Sequence, residues 1–261
     1  MKTLSERALA YLREGPRPSM DVVRDVMGLQ RANAAVAERL AIALLGADPR
    51  FSADIEGRWC VVPEPAWFGV ALADVKFAVV DVETTGMRAR GGDRITEIAV
   101  VHLDNGQAKV AFDSLINPGR PIPHFIARLT GISDAMVEAA PRFEDVADRI
   151  MAALAGRVFV AHNARFDWAF VSAELERARD LELRMPQLCT VRLTRRLVPE
   201  LPRRSLDSVM WYFGLETDRR HRAAGDAEVT AQALVRLMGR ARDRGVATWE
   251  DLYDLGRKNY A

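Results

Sequence analysis

Leu4, Ala8, Leu9 and Leu12 recur at helical spacing, which predicts a first helix. Gly15-Pro16-Arg17-Pro18 ends it. Ser19 is placed to cap a second helix carrying Val22, Val23, Val26 and Met27. A third helix runs through the alanine-rich stretch to Leu45. A polar turn around Gly57 then leads into Arg58-Trp59-Cys60-Val61-Val62, an apolar run with strand character, so a small hairpin is expected. Residues 1–63 thus read as one small, mainly helical domain, and 64–75, with Pro65, as a linker. From residue 76 the pattern changes to strands over 77–82, 95–103 and 110–116. Asp104-Asn105-Gly106 makes a tight turn between the last two, which predicts an antiparallel meander. A helical region over 123–155 follows, then a short buried strand over 158–161. Helices are expected over 165–179, 191–197, 205–213 and 226–240, with 242–261 as a helical tail. The fold class is α/β: a mixed sheet flanked by helices over 76–241, preceded by the small helical domain.

Composition changes this picture little. Hydrophobic residues make up 49% and charged residues 28% of 261, as in a soluble globular chain. No apolar run approaches the ~20 residues of a membrane span, and the N-terminus lacks signal-peptide character. Cys60 and Cys189 form no CxxC pair, so a reducing cytoplasm is the expected location. The net charge of +1 is silent about partners, but its distribution is uneven. Arg192, Arg195, Arg196, Arg203 and Arg204 crowd one segment, and Arg219, Arg220 and Arg222 the next. Alone, such clusters read as solvated faces.

Three acidic motifs alter that weighting. Asp81-Val82-Glu83-Thr84-Thr85-Gly86 ends a buried strand, where side chains two apart share a face. Adjacent carboxylates repel unless a cation sits between them, although a pair alone also fits a solvated strand end. His162-Asn163-Ala164-Arg165-Phe166-Asp167 leaves a strand and starts a helix. Asp167 in the first turn suits the helix dipole and needs no other explanation by itself. His221-Arg222-Ala223-Ala224-Gly225-Asp226 opens the last long helix. His221 and Asp226 converge only if His221 lies on the preceding loop, and Gly225 is expected to permit an irregular start there. A loop histidine beside carboxylates suits a general base.

Over residues 76–240 the chain resembles the DEDD exonucleases of the ribonuclease H-like superfamily, histidine subtype, and among them the epsilon proofreading subunits of bacterial DNA polymerase III. The resemblance rests on residues 77–86, Ile95-Thr96-Glu97-Ile98-Ala99, Ile116-Asn117-Pro118, Leu129-Thr130-Gly131-Ile132-Ser133, His162-Asn163 with Phe166-Asp167, Ser205-Leu206-Asp207, and His221-x-Ala223-x-x-Asp226. It implies that Asp81, Glu83, Asp167 and Asp226 are catalytic carboxylates holding two Mg²⁺ or Mn²⁺ ions. It implies that His221 is the base that deprotonates the attacking water. It implies that Thr84, Thr85 and Asn163 position the terminal nucleotide and that Leu129 and Phe166 pack on its base or sugar. The activity so implied is 3′→5′ hydrolysis of single-stranded DNA in proofreading or repair.

An exoribonuclease of the same superfamily, and an inactive nuclease fold used for binding, are the alternatives; the second requires a missing site residue, and none is missing. Residues 1–63 resemble a winged-helix module, which implies duplex DNA or a protein as a further partner. No clamp-binding peptide follows Thr248-Trp249-Glu250-Asp251-Leu252, so association with a replicative polymerase is left open beside a free-standing repair role.

Overall fold

The computed structural model describes residues 3–46, 51–53, 57–61 and 69–257. Contacts divide the chain into two compact units, Met1–Phe68 and Gly69–Ala261.

The smaller unit contains helices α1 (Leu4–Leu12), α2 (Ser19–Met27) and α3 (Ala34–Leu45), then strands β1 (Phe51–Ala53) and β2 (Trp59–Val61), paired antiparallel. Its core gathers Leu12, Val22, Val26, Ala41, Leu45, Phe51 and Trp59. Thr3 and Glu6 form a reciprocal capping box at the start of α1. Ser19 does not cap α2. It is the first helical residue, and its Oγ accepts the indole N–H of Trp59 at 3.1 Å instead. That buried donor needs a partner, and Pro18 already sets the extended backbone at the cap.

The larger unit is built on a five-stranded sheet. Its strands are β3 (Phe77–Thr84), β4 (Ile95–Asp104), β5 (Gln107–Leu115), β6 (Val158–Ala161) and β7 (Gln187–Cys189), in the order β5-β4-β3-β6-β7. β3, β4 and β5 form the expected antiparallel meander. β6 and β7 add on parallel to β3, so β3 and β6 end at the same edge of the sheet. The helical region expected over 123–155 is three helices, α4 (His124–Thr130), α5 (Asp134–Val137) and α6 (Phe143–Leu154). Gly131, at φ 72°, ends the first. The remaining helices are α7 (Ala164–Arg179), α8 (Thr190–Leu197), α9 (Leu206–Phe213), α10 (Ala223–Arg242) and α11 (Trp249–Arg257). No helix among the described residues is long and apolar enough to cross a membrane.

Alternation along β3 decides which side chains meet which helices. Ala78, Val80 and Val82 share one core with Phe143, Ala147 and Ile150 of α6 and Phe170 and Val171 of α7. The odd positions, Asp81 and Glu83 among them, point to the opposite face, where α10 crosses β3, β4 and β5. α10 buries Ala223, Ala224, Ala227, Ala231 and Ala233, side chains short enough to let a helix lie close on the strands.

The segments expected to be a linker and a tail belong to this unit as far as they are described. Leu72 N–H donates to Ala247 O at 2.8 Å and Trp249 N–H to Val70 O at 3.1 Å. Leu72 and Val75 are buried, as are Trp249 and Leu252 of α11, and the rings of Phe77 and Trp249 lie 6.5 Å apart. Residues 64–68 lie outside the described residues. A chain beginning at Gly69 is therefore expected to melt as a cooperative unit. One beginning at Lys76 loses the two backbone hydrogen bonds to residues 247–249, about 1 kcal/mol each. It also loses the burial of Leu72 and Val75, about 1.5–3 kcal/mol each. Urea melts compare the two; equal midpoints would show that the 70–72 pairing contributes nothing.

Candidate active site

Asp81 and Glu83 lie side by side on β3. α10 brings Asp226 to them, and ligand oxygens of Asp81, Glu83 and Asp226 all fall within 4.8 Å of one another. Asp167 arrives from the first turn of α7, at the end of the neighbouring strand β6, and its Oδ1 accepts the backbone N–H of Val82 at 3.3 Å. It lies outside the tightest group but acts more strongly on Asp81 than any other charge. Asp167 and Asp226 are buried, while Asp81 and Glu83 are half-buried.

Burial first, then mutual repulsion, holds these carboxyls above their usual range. Asp81 is raised well above it by burial and by Asp167, Asp226 and Glu83. Glu83 is pushed up to about 8 by burial, then Asp226 and Glu97. Asp167 is pushed up to about 8 by burial, against the backbone N–H groups it accepts. Asp226 is raised by burial, and Arg220 and His221 partly offset this. Carboxylates that resist ionisation together are what a divalent cation stabilises. The donors fit such an ion. All are hard oxygens, and Oδ1 of Asp226 is buried with no hydrogen-bond partner.

His221 sits on the turn before α10 with φ 62°, a left-handed conformation uncommon outside glycine. His221 lies close enough to Asp226 to favour its charged form, which places this loop beside the cluster. The expected irregular start at Gly225 is not found: α10 is regular from Ala223. Gly225 is required for close approach instead, because a Cβ there would lie 2.2 Å from the carbonyl oxygen of Arg219. The loop thus folds back over its own helix, and that fold-back brings His221 beside Asp226.

The other expected residues are distributed around this centre. Thr84 is buried and its hydroxyl donates to Gly86 O at 2.6 Å. Thr85 is buried too; its Oγ accepts the N–H of Arg94 at 3.0 Å, so it holds the loop after β3. Asn163 is exposed at the start of α7 with φ 76° and makes no capping bond. Phe166 is half-buried against Phe170, ring centres 4.9 Å apart. Leu129 is exposed on α4, one turn from exposed Phe125. His162 is part of the scaffold. Its Nδ1 meets Thr190 Oγ at 2.9 Å and its Nε2 meets Arg204 O at 2.8 Å, while burial lowers its pKa.

Two features escaped the sequence reading. Arg220, seen there only as part of a basic cluster, bridges two acids: Nε donates to Asp207 Oδ1 at 2.7 Å and Nη1 to Asp226. Glu97, 2% exposed, accepts the Arg222 guanidinium and the Ala223 N–H at 2.9 Å, pinning the start of α10 to β4. Buried charges survive only when paired, so an acid inside the strand pattern was the available signal.

Comparison with known proteins places this geometry. The exonuclease family RNase_T matches residues 78–234. The chain is 40% identical over 182 residues, 70% of its length, to 3′-5′ exonuclease DinG of Bacillus subtilis (strain 168), covering 20% of that protein. It is 32% identical over 167 residues, 64% of its length, to DNA polymerase III subunit epsilon of Aquifex aeolicus (strain VF5), covering 82% of it. Among solved structures, Exonuclease X in complex with 5′ overhanging duplex DNA superposes with a TM-score of 0.55 at 28% identity, over 70% of this chain and 99% of that one. The chain spans 20, 28 and 30% of the first three curated relatives it matches.

Proposed function

The chain belongs to the RNase_T exonuclease family, a family of divalent-cation enzymes, and on that premise we propose that it removes nucleotides from the 3′ end of single-stranded DNA. The observation that carries this reading is the convergence of Asp81, Glu83 and Asp226, with Asp167 alongside, around a buried and unpartnered Asp226 oxygen. These four residues would hold two Mg²⁺ or Mn²⁺ ions. Bound there, such ions make water more acidic and offset charge on the phosphate and the leaving 3′ oxygen. His221, on its loop beside Asp226, takes the proton from the attacking water. Thr84, Thr85 and Asn163 position the terminal nucleotide, and Leu129 and Phe166 pack on its base or sugar. Phosphate and sugar contacts carry little sequence information, so digestion is expected to be tolerant of sequence.

Relatives named for DNA polymerase III and DinG favour DNA, in proofreading or repair, over RNA. The three helices and hairpin of the smaller unit support a winged-helix-like module for duplex DNA or a protein partner. Two cysteines far apart in sequence, Cys60 and Cys189, with no CxxC pair, suit a reducing cytoplasm.

Digestion of end-labelled single-stranded DNA, duplex DNA and RNA tests the reading. Nucleotides should leave one at a time from the 3′ end of single-stranded DNA, stop in excess chelator, and resume with Mg²⁺ or Mn²⁺. Complete digestion in chelator would sink the mechanism, and faster digestion of RNA would sink the assignment to DNA.

A further inference from the structure

Beyond the carboxylate centre, a cavity of about 650 Å³ opens at the start of α7, bounded by β7, α8 and α11. Its size falls within the ~300–1,000 Å³ of sites that take small molecules. Arg165, Arg192 and Arg195 line it, together with Asn163, Trp168 and Tyr253. Arg192 and Arg195 stand one turn apart on the exposed side of α8, whose other side buries Leu193, Thr194 and Leu197.

These three arginines differ from most others in the unit. Arg94, Arg157, Arg179, Arg219, Arg220 and Arg222 each hold a carboxylate. Arg165, Arg192 and Arg195 meet none among the described residues. Three unneutralised guanidinium groups around one concave space attract an anion, and their planar forks suit phosphate. The aromatic walls are held in place. Trp168 meets Phe159 edge-on at 5.2 Å, and Tyr253 lies tilted on Trp249 at 5.4 Å. Fixed rings beside cations are what a nucleotide base and its phosphate require.

The cavity also adjoins the active centre without sharing its carboxylates. Asn163 lines it at the start of α7, and Asp167, four residues on, belongs to the acidic group. We propose that this cavity is a second nucleotide subsite, with phosphate held by Arg165, Arg192 and Arg195 and the base against Trp168 and Tyr253. The inference rests on the exonuclease reading for its role. A strand whose 3′ end lies at Asp81 passes over Asn163 and leaves an upstream nucleotide in the cavity. A released mononucleotide presents the same chemistry.

The test uses the full chain and a 5′-fluorescein-labelled dT12 strand in excess chelator, read by anisotropy across a salt series. The double variant Arg192→Gln/Arg195→Gln is expected to bind about tenfold more weakly at low salt. Its log K against log salt slope should be shallower by about 1.4, at ~0.7 for each single-strand phosphate that an arginine no longer neutralises. Arg165→Gln should act in the same direction with half that change in slope. Both variants alter exposed side chains, and their melting temperatures should match the wild type. In Mg²⁺ both variants should still release the 3′ nucleotide once the strand is saturating, with the loss appearing in KM, because the carboxylate centre is untouched.

Competition with dTMP distinguishes the two sources. Displacement of the strand by dTMP from the wild type but not the double variant assigns the subsite to a free nucleotide. Displacement only by unlabelled strands assigns it to the substrate. Wild-type affinity and slope in both variants overturn the subsite while leaving the exonuclease reading intact. Failure of that reading is separately visible, as a wild type that does not digest the strand in Mg²⁺ or Mn²⁺.

Discussion

Replacing His221 by alanine is expected to slow single-turnover release of the 3′ nucleotide by about 10²–10⁴-fold, the usual cost of removing a positioned base. The expectation rests on where the residue sits. His221 adopts a left-handed backbone at φ 62°, and non-glycine residues seldom do so without a compensating contact. The compensation is visible: the loop folds back so closely on α10 that only glycine fits at Gly225. The Asp226 carboxylate is held by Arg220, so His221→Ala should keep the stabilisation that Mg²⁺ or Mn²⁺ confers in thermal melts. Asp226→Ala should lose that stabilisation together with activity. Single-turnover rates at saturating cation, measured beside cation-dependent melting, separate these roles. A near-wild-type rate in His221→Ala would remove it as the base.

The second large effect concerns stability in chelator. Glu83 and Asp167 are held near 8 in the folded chain, and Asp81 and Asp226 are also raised. In the unfolded chain such groups ionise near 4. Between those values the folded state keeps protons that the unfolded state has released, so stability falls as pH rises. The slope is about 1.4 kcal/mol per pH unit for each proton retained. His162 opposes this trend, because its pKa is lowered by burial and its charging favours unfolding. That opposition ends once the unfolded histidine is neutral, above about 6.5. The clean window is therefore about pH 6.5–8. There the chelated protein should lose stability steadily, and added Mg²⁺ should restore more at pH 8 than at pH 6.5. Asp81→Asn should melt higher than the wild type in chelator at pH 8, since it removes a buried acid that ionises freely only in the unfolded chain. Stability that rises with pH across this window, or an Asp81→Asn variant that melts lower, would contradict the account.

Much of this chemistry was legible before any coordinates. Two acids separated by one residue on a strand must share a face, so Asp81 and Glu83 were a pair from their spacing alone. The meander of β3, β4 and β5 followed from apolar runs and an Asn-Gly turn, and Asn105 and Gly106 do take positive φ there. The loop position of His221 followed from helical geometry, since five residues of helix would turn it away from Asp226. The three-residue strand β7 was not legible, because it is too short to display a period.

Convergence across the chain was decided by tertiary structure. Asp167 reaches the N–H of Val82, 85 residues away, because β6 pairs parallel with β3 and both end at one edge. Glu97 holds Ala223, 126 residues on, because the alanine-rich face of α10 lies close on the sheet. Val70 and Leu72 pair with residues 247–249, which turns an expected linker and tail into parts of one unit. Periodicity and turn chemistry are local and write themselves into neighbouring residues. Which buried charge meets which, and which glycine must admit a carbonyl at 2.2 Å from its missing Cβ, depends on packing between segments that share no sequence neighbourhood.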